Sequence, residues 1–240
     1  MKQLIFLLFA GSLDAQSVVK PELLKAFSIK IPEPSDISVS PEGNSLFIVS
    51  DDGGLYETDL EGKIIRSTKA GLVDAEGVYA DENSVYVVEE RNRFIKTFSR
   101  KDFTLQRTTN IPYEGGRNRG FEGITKSPDG SWLLFTEKDP VWMFTLDEKM
   151  HEINRMKWEL PGDVSAAVWF KNSLWLLSDE RAEVWQTDWK TGTILKRFKI
   201  PVLNPEGLAF SKDGKMYILS DDGQKLYVFN ELNLLTDAAK

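Results

Sequence analysis

The sequence predicts an all-β fold, a five-bladed β-propeller with four antiparallel strands per blade. Three observations carry this expectation: a five-fold internal repeat, turn residues at a fixed place within it, and an N-terminal segment that supplies the strand missing from the last repeat.

Each repeat opens on a short apolar stretch beside an acid: Ser35-Asp36-Ile37, Ala75-Glu76-Gly77-Val78, Phe121-Glu122-Gly123-Ile124, Ser165-Ala166-Ala167-Val168 and Pro205-Glu206-Gly207-Leu208. A strongly apolar run follows (46–50, 85–88, 132–136, 174–178 and 216–220) and ends on Asp51, Glu89, Glu137, Asp179 and Asp221. From opening position to closing acid the offsets are 15, 13, 15, 13 and 15 residues, and successive openings are 40, 46, 44 and 40 apart. Pro41-Glu42-Gly43-Asn44, Pro128-Asp129-Gly130 and Lys212-Asp213-Gly214 lie between the first two strands, where a hairpin needs fixed or positive φ. A third strand follows and, in the first four units, a fourth, which suits a blade of roughly 40–45 residues.

The fifth unit lacks a fourth strand after Asn230. Residues 23–31 resemble the other fourth strands, and Pro32 follows them as Pro112, Pro161 and Pro201 follow theirs. Docking this strand on the last blade closes the ring and removes an exposed edge. The expected organisation is a signal peptide over residues 1–15, a propeller over 23–231 and a tail over 232–240. Lys2, the apolar run Leu4 to Ala10 and small residues up to Ala15 form the export signal. Its apolar run is shorter than the about 20 residues of a membrane span. A periplasmic or secreted protein is expected, anchored to the membrane if the signal stays uncleaved.

The chain has no Cys and one His, so neither a disulfide framework nor a zinc, iron or copper centre of the usual ligands is expected. A net charge of -7 argues against nucleic acid as partner, because phosphate backbones require a positive face. No phosphate-cradling glycine loop precedes a helix, which leaves nucleotide, flavin and haem unassigned. His151 falls in the connection between strands three and four, on the far face from the acids. A Ser-His-Asp arrangement is therefore not expected.

In a meander the start of strand one and the end of strand two lie side by side. Asp36, Glu76, Glu122 and Glu206 are thus expected to ring one mouth of the central channel, with Asp163 and Ser165 serving the fourth blade. Asp51, Glu89, Glu137, Asp179 and Asp221 should stand just outside them. So many carboxylates repel one another unless a cation, neighbouring arginines or protonation compensates. Calcium suits the first option, since it takes six to eight oxygen ligands. The plainer reading is that acids beside turns cap amides or pair with arginines, and Arg91, Arg93, Arg117, Arg119, Lys138 and Arg181 all fall in loops on this face.

At Asp74-Ala75-Glu76-Gly77-Val78, Gly120-Phe121-Glu122-Gly123-Ile124, Glu137-Lys138-Asp139-Pro140, Asp163-Val164-Ser165-Ala166, Ser178-Asp179-Glu180-Arg181 and Glu206-Gly207-Leu208, the chain resembles the SdiA-regulated family of bacterial exported proteins. The resemblance spans nearly the whole mature chain and implies a five-bladed propeller with a calcium site, distantly similar to NHL-repeat propellers. It favours Glu76, Glu122, Glu206 and Asp163 as metal-site residues, while Asp36 and Asp221 match the pattern less closely.

Two functions follow as expectations, beside a third, a purely structural interaction propeller with no metal. One is a monomeric calcium-binding module presenting its mouth to a protein or small anionic ligand outside the cytoplasm. The other is a metal-dependent hydrolase of lactones, esters or phosphoesters, with a mouth carboxylate as base and Arg117 or Arg119 holding the anion.

Overall fold

A computed structural model describes residues 18–116 and 119–232. The expected signal segment, Arg117 and residues 233–240 lie outside the described residues. The chain opens on β1 (Val18–Val19) and β2 (Leu23–Ser28). Blade one comprises β3 (Pro34–Val39), β4 (Leu46–Ser50), β5 (Gly54–Thr58) and β6 (Ile64–Lys69). Blade two comprises β7 (Ala75–Ala80), β8 (Ser84–Glu89), β9 (Phe94–Ser99) and β10 (Leu105–Asn110). Blade three comprises β11 (Phe121–Lys126), β12 (Trp132–Thr136), β13 (Val141–Leu146) and β14 (Glu152–Trp158). Blade four comprises β15 (Ala166–Phe170), β16 (Ser173–Ser178), β17 (Glu183–Asp188) and β18 (Thr193–Lys199). Blade five holds β19 (Pro205–Phe210), β20 (Met216–Ser220) and β21 (Lys225–Phe229).

The four strands of each blade form an antiparallel sheet, as the repeat requires, and β2 completes the fifth by pairing with β21. Leu23 faces Phe229 and Phe27 faces Leu226, so the two ends of the propeller are held in one sheet. One addition was not legible in the repeat: β1 lies parallel to β18 as a fifth strand on blade four.

Burial explains the apolar runs. Strands β4, β12 and β20 are buried at every position, because both of their faces meet a neighbouring blade. The outer strand β6 alternates between half-buried and exposed, as a strand with one wet face does. The core is divided among the blade interfaces. Phe47 and Phe98 pack between blades one and two, Phe121 and Phe144 between two and three, and Trp158 and Trp185 between three and four. Trp175 and Phe229 fill the next interface, and Ile37 and Leu219 close the ring. The turn glycine Gly130 has φ of 89°, a conformation a side chain would strain.

Candidate metal centre at the channel mouth

The innermost strands do not pair regularly where they leave the mouth. In blade two Ala75 faces Glu89 and Gly77 faces Val88, leaving Glu76 as an extra residue in a β-bulge. The same shift occurs between Phe121 and Ile124 and between Pro205 and Leu208. A bulge re-aims the side chain it carries. Here it places Glu76, Glu122 and Glu206, all half-buried, on the wall of one cavity of about 340 Å3. The glycine after each glutamate is required by the narrowness of the channel: a Cβ on Gly77 would lie 2.3 Å from the carbonyl oxygen of Glu122 in the next blade.

Blade one has the same bulge, but its extra residue is Ser35, and Asp36 occupies the position of the glycines. In blade four the register is regular and Ser165 lines the cavity at the corresponding place. The inner ring therefore reads Ser35, Glu76, Glu122, Ser165, Glu206. Asp36 is absent from the cavity wall. It is 2% exposed, and its Oδ2 accepts the Val78 amide of blade two at 2.8 Å. The expected place of Asp36 at the mouth is thus corrected: without a glycine its carboxyl is driven between inner strands.

A second correction concerns blade two. The ladder aligns Glu89 with Ser50, Thr136 and Ser220, so the residue matching Asp51 and Glu137 is Glu90. The backbone agrees: the amides of Asp51, Glu90 and Glu137 donate to the carbonyls of Glu33, Asp74 and Gly120. Glu89 is fully buried away from the cavity, where it takes Lys96 Nζ at 2.7 Å, the Val73 amide at 2.8 Å and Asn92 Nδ2 at 2.9 Å. Two consecutive glutamates alternate across a strand, and only the second turns to the mouth.

Asp51, Glu90, Glu137, Asp179 and Asp221 make up the outer ring, and Asp74 and Asp163, each two residues before an inner position, add to the wall. Two triads stand out. Carboxylate oxygens of Asp51, Asp74 and Glu76 lie within 4.8 Å of one another, and so do those of Glu90, Glu122 and Glu137. Sequence reasoning had not singled out Asp74 or Glu90. The signal for Asp74 was its spacing, the same as that from Asp163 to Ser165, and the signal for Glu90 was the hairpin of blade two, where four residues separate Ala80 from Val85 against five between Lys126 and Trp132.

Burial and neighbouring carboxylates act together on these groups. Burial, then the charges of Asp51, Asp74, Glu206 and Glu90, push Glu76 up to about 8. Burial and Asp179, Asp221 and Asp163 push Glu206 up to about 8. Glu122 is raised well above the ordinary carboxylate range by burial and by Glu76, Glu90, Glu137 and Glu206. Glu90 rises to about 7, mainly through burial, although the Gly120 amide donates to it at 2.8 Å. Asp163 also rises to about 7 through burial and its hydrogen-bonded contact with Asp179, while Ser178 donates to its Oδ1.

The basic loop residues compensate little of this. Arg119 pairs with Asp139 at 3.6 Å outside the cavity, so its expected place at the mouth is corrected as well. Arg93 holds the carbonyls of Glu90, Gly115 and Gly116, and Arg181 holds that of Pro161. Lys138 bridges Glu137 and Glu180 at 2.8 and 3.0 Å. Among the described residues, Arg91 is the only basic side chain on the wall, 2.9 Å from Asp74 Oδ2. His151 is exposed beside Asp147, in the loop between β13 and β14.

Fold and site together define a five-bladed propeller with an acidic, oxygen-rich channel mouth. The chain belongs to the SdiA-regulated family, whose family model matches residues 27–230. No curated protein matches the sequence. Among solved structures, the fold is similar to Myxococcus xanthus glutaminyl cyclase, with a TM-score of 0.72 and 14% identity over 89% of this chain and 98% of that one. It is also similar to a streptogramin B lyase, with a TM-score of 0.52 and 12% identity over 86% and 96% of the two chains. At these identities the likeness is one of fold.

Proposed function

We propose that this protein is an exported calcium-binding propeller whose mouth serves as a binding module for a protein or a small ligand. The observation that carries the reading is the convergence of two carboxylate triads, each within 4.8 Å, on one cavity with a single basic side chain on its described wall. The donor set is all oxygen, which suits calcium rather than zinc or copper. The raised titration of Glu76 and Glu206, to about 8, marks charge that the protein itself leaves uncompensated. Glu76, Glu122 and Glu206 would hold the ion with Asp74, Glu90 or Asp163 beside them. Calcium would supply the positive charge on which a carboxylate, phosphate or carbonyl oxygen of a ligand can settle.

Thermal unfolding of the purified chain tests this. Calcium at 100 times its Kd stabilises the folded state by about 2.7 kcal/mol, and a chelator removes the gain. Identical unfolding with calcium and with chelator would dismiss the site.

A metal-dependent hydrolase is the second reading. Carboxyls that keep a proton near neutral pH are suited to general acid work, and Glu76 and Glu206 have that property. Two propellers of similar fold bear enzyme names, a cyclase and a lyase, so the architecture accommodates catalysis. Calcium-dependent turnover of a lactone, aryl ester or phosphoester would favour this reading over the binding module.

A further inference from the structure

Each triad has a basic neighbour, Arg91 beside Asp74 at 2.9 Å and Lys138 beside Glu137 at 2.8 Å, but of the two only Arg91 lines the cavity itself. Arg91 Nε lies 2.9 Å from Asp74 Oδ2. The approach has the distance of an ion pair but not the alignment of a hydrogen bond, and Oδ2 has no hydrogen-bond partner although Asp74 is only 5% exposed. A guanidinium is planar and forms its best carboxylate contacts in a bidentate, coplanar fork. Here a half-exposed Arg91 side chain touches one oxygen at the rim and leaves that oxygen's directional demand unmet.

We infer that Arg91 is a tethered competitor for the first triad, which a divalent cation displaces and a monovalent one does not. This inference rests on the cation reading of the mouth. Sodium brings no more charge to Asp51, Asp74 and Glu76 than the guanidinium it would replace, and it lacks the tether. Calcium brings one charge more, and its six to eight ligands let it use the Asp74 oxygen that Arg91 approaches without alignment. Arg91 thereby sets both the affinity and the valence selectivity of this triad. In the other triad Lys138 pairs with Glu137, but it divides itself between Glu137 and Glu180 and stands outside the cavity wall.

Calorimetric titration of calcium into the full chain, its Arg91→Ala and its Arg91→Lys variants tests the inference. The alanine variant is expected to bind calcium about tenfold tighter, as loss of a partly buried internal ion pair predicts. Arg91→Lys restores the charge and should fall near the natural chain. A second readout compares thermal unfolding in sodium chloride and in choline chloride at equal ionic strength. Sodium should stabilise Arg91→Ala over choline and leave the natural chain unmoved. Calcium bound by the alanine variant alone also supports the inference, because the guanidinium then wins outright. Equal or weaker calcium binding by Arg91→Ala, with the natural chain binding normally, overturns the inference and leaves the cation reading standing. Binding by none of the three overturns the cation reading itself.

Discussion

The Asp36 carboxylate accepts the Val78 amide across a blade boundary, with Oδ2 2.8 Å from the nitrogen. A side chain of blade one thus satisfies the open inner edge of blade two, where no further strand is available to pair. Burial outweighs this amide and those of Ile37 and Leu208, and pushes the Asp36 carboxyl well above its ordinary value. The bond depends on an acceptor in the right place, more than on charge. Asp36→Ala fits sterically, since other blades carry Gly or Ala at this position, but it leaves a buried amide unpaired. Urea unfolding should show a loss of about 1–3 kcal/mol. Asp36→Asn keeps the acceptor and should lose less. An alanine variant as stable as the natural chain would show that the bond contributes nothing.

Glu89 and Glu90 offer a matched pair of substitutions at adjacent positions. Glu89 is buried and holds Lys96, so Glu89→Gln strands a lysine whose other acceptor is the Gly71 carbonyl. Breaking a buried pair costs about 3–5 kcal/mol, and the slight exposure of Lys96 places this case near the lower figure. Calcium affinity should not change. Glu90→Gln keeps an acceptor for the Gly120 amide but removes a charge from the second triad. Its stability should hold while calcium affinity falls about tenfold or more, given how strongly ligand charge tunes such sites. Denaturant titration and calorimetry of both variants separate the roles, and an exchange of the two outcomes would refute the assignment.

How much of this was open to sequence reading depends on what set each position. The blades were legible because alternating burial and a repeat of constant length leave period and turn signals. So was the closing strand β2, whose pattern fits a vacancy in the last unit. The approach of Glu76, Glu122 and Glu206 to one mouth followed from meander geometry, and the bulge that carries each of them completes their aim. The displacement of Asp36 and Glu89 did not, because the hairpin joining the first two strands has six residues in blade one and four in blade two against five in blades three and five, which slides an acid one place from its expected position. Strand β1 is two residues long and parallel, too short for any periodicity to show.

Glu122 carries the most neighbours of like charge, with Glu76, Glu90, Glu137 and Glu206 all raising it. Glu122→Gln relieves that repulsion in the ion-free protein and removes a ligand from the loaded one. The chelated variant should unfold about 2–4 °C higher than the chelated natural chain, the shift expected of about 1 kcal/mol in a domain of this size. Its calcium-induced shift should shrink. A chelated variant that melts lower would mean that the carboxyl donates a structural hydrogen bond.

Titration of the mouth predicts a reversal of pH dependence by calcium. Glu76 and Glu206 lie near 8 in the folded chain, and Glu90 and Asp163 near 7. In the unfolded chain the same groups titrate at about 4. Between these limits the folded state holds more protons than the unfolded one, so stability falls as pH rises. The stabilising contribution of these groups is complete below about pH 4 and lost by about pH 8, which leaves the ion-free protein less stable at pH 8 than at pH 5. Calcium needs the deprotonated carboxylates, so its stabilising effect must grow over the same interval. Melting temperatures measured from pH 5 to 8 should therefore decline with chelator present, and decline less or rise with calcium present. Parallel curves would mean that the ion binds somewhere other than among these four acids.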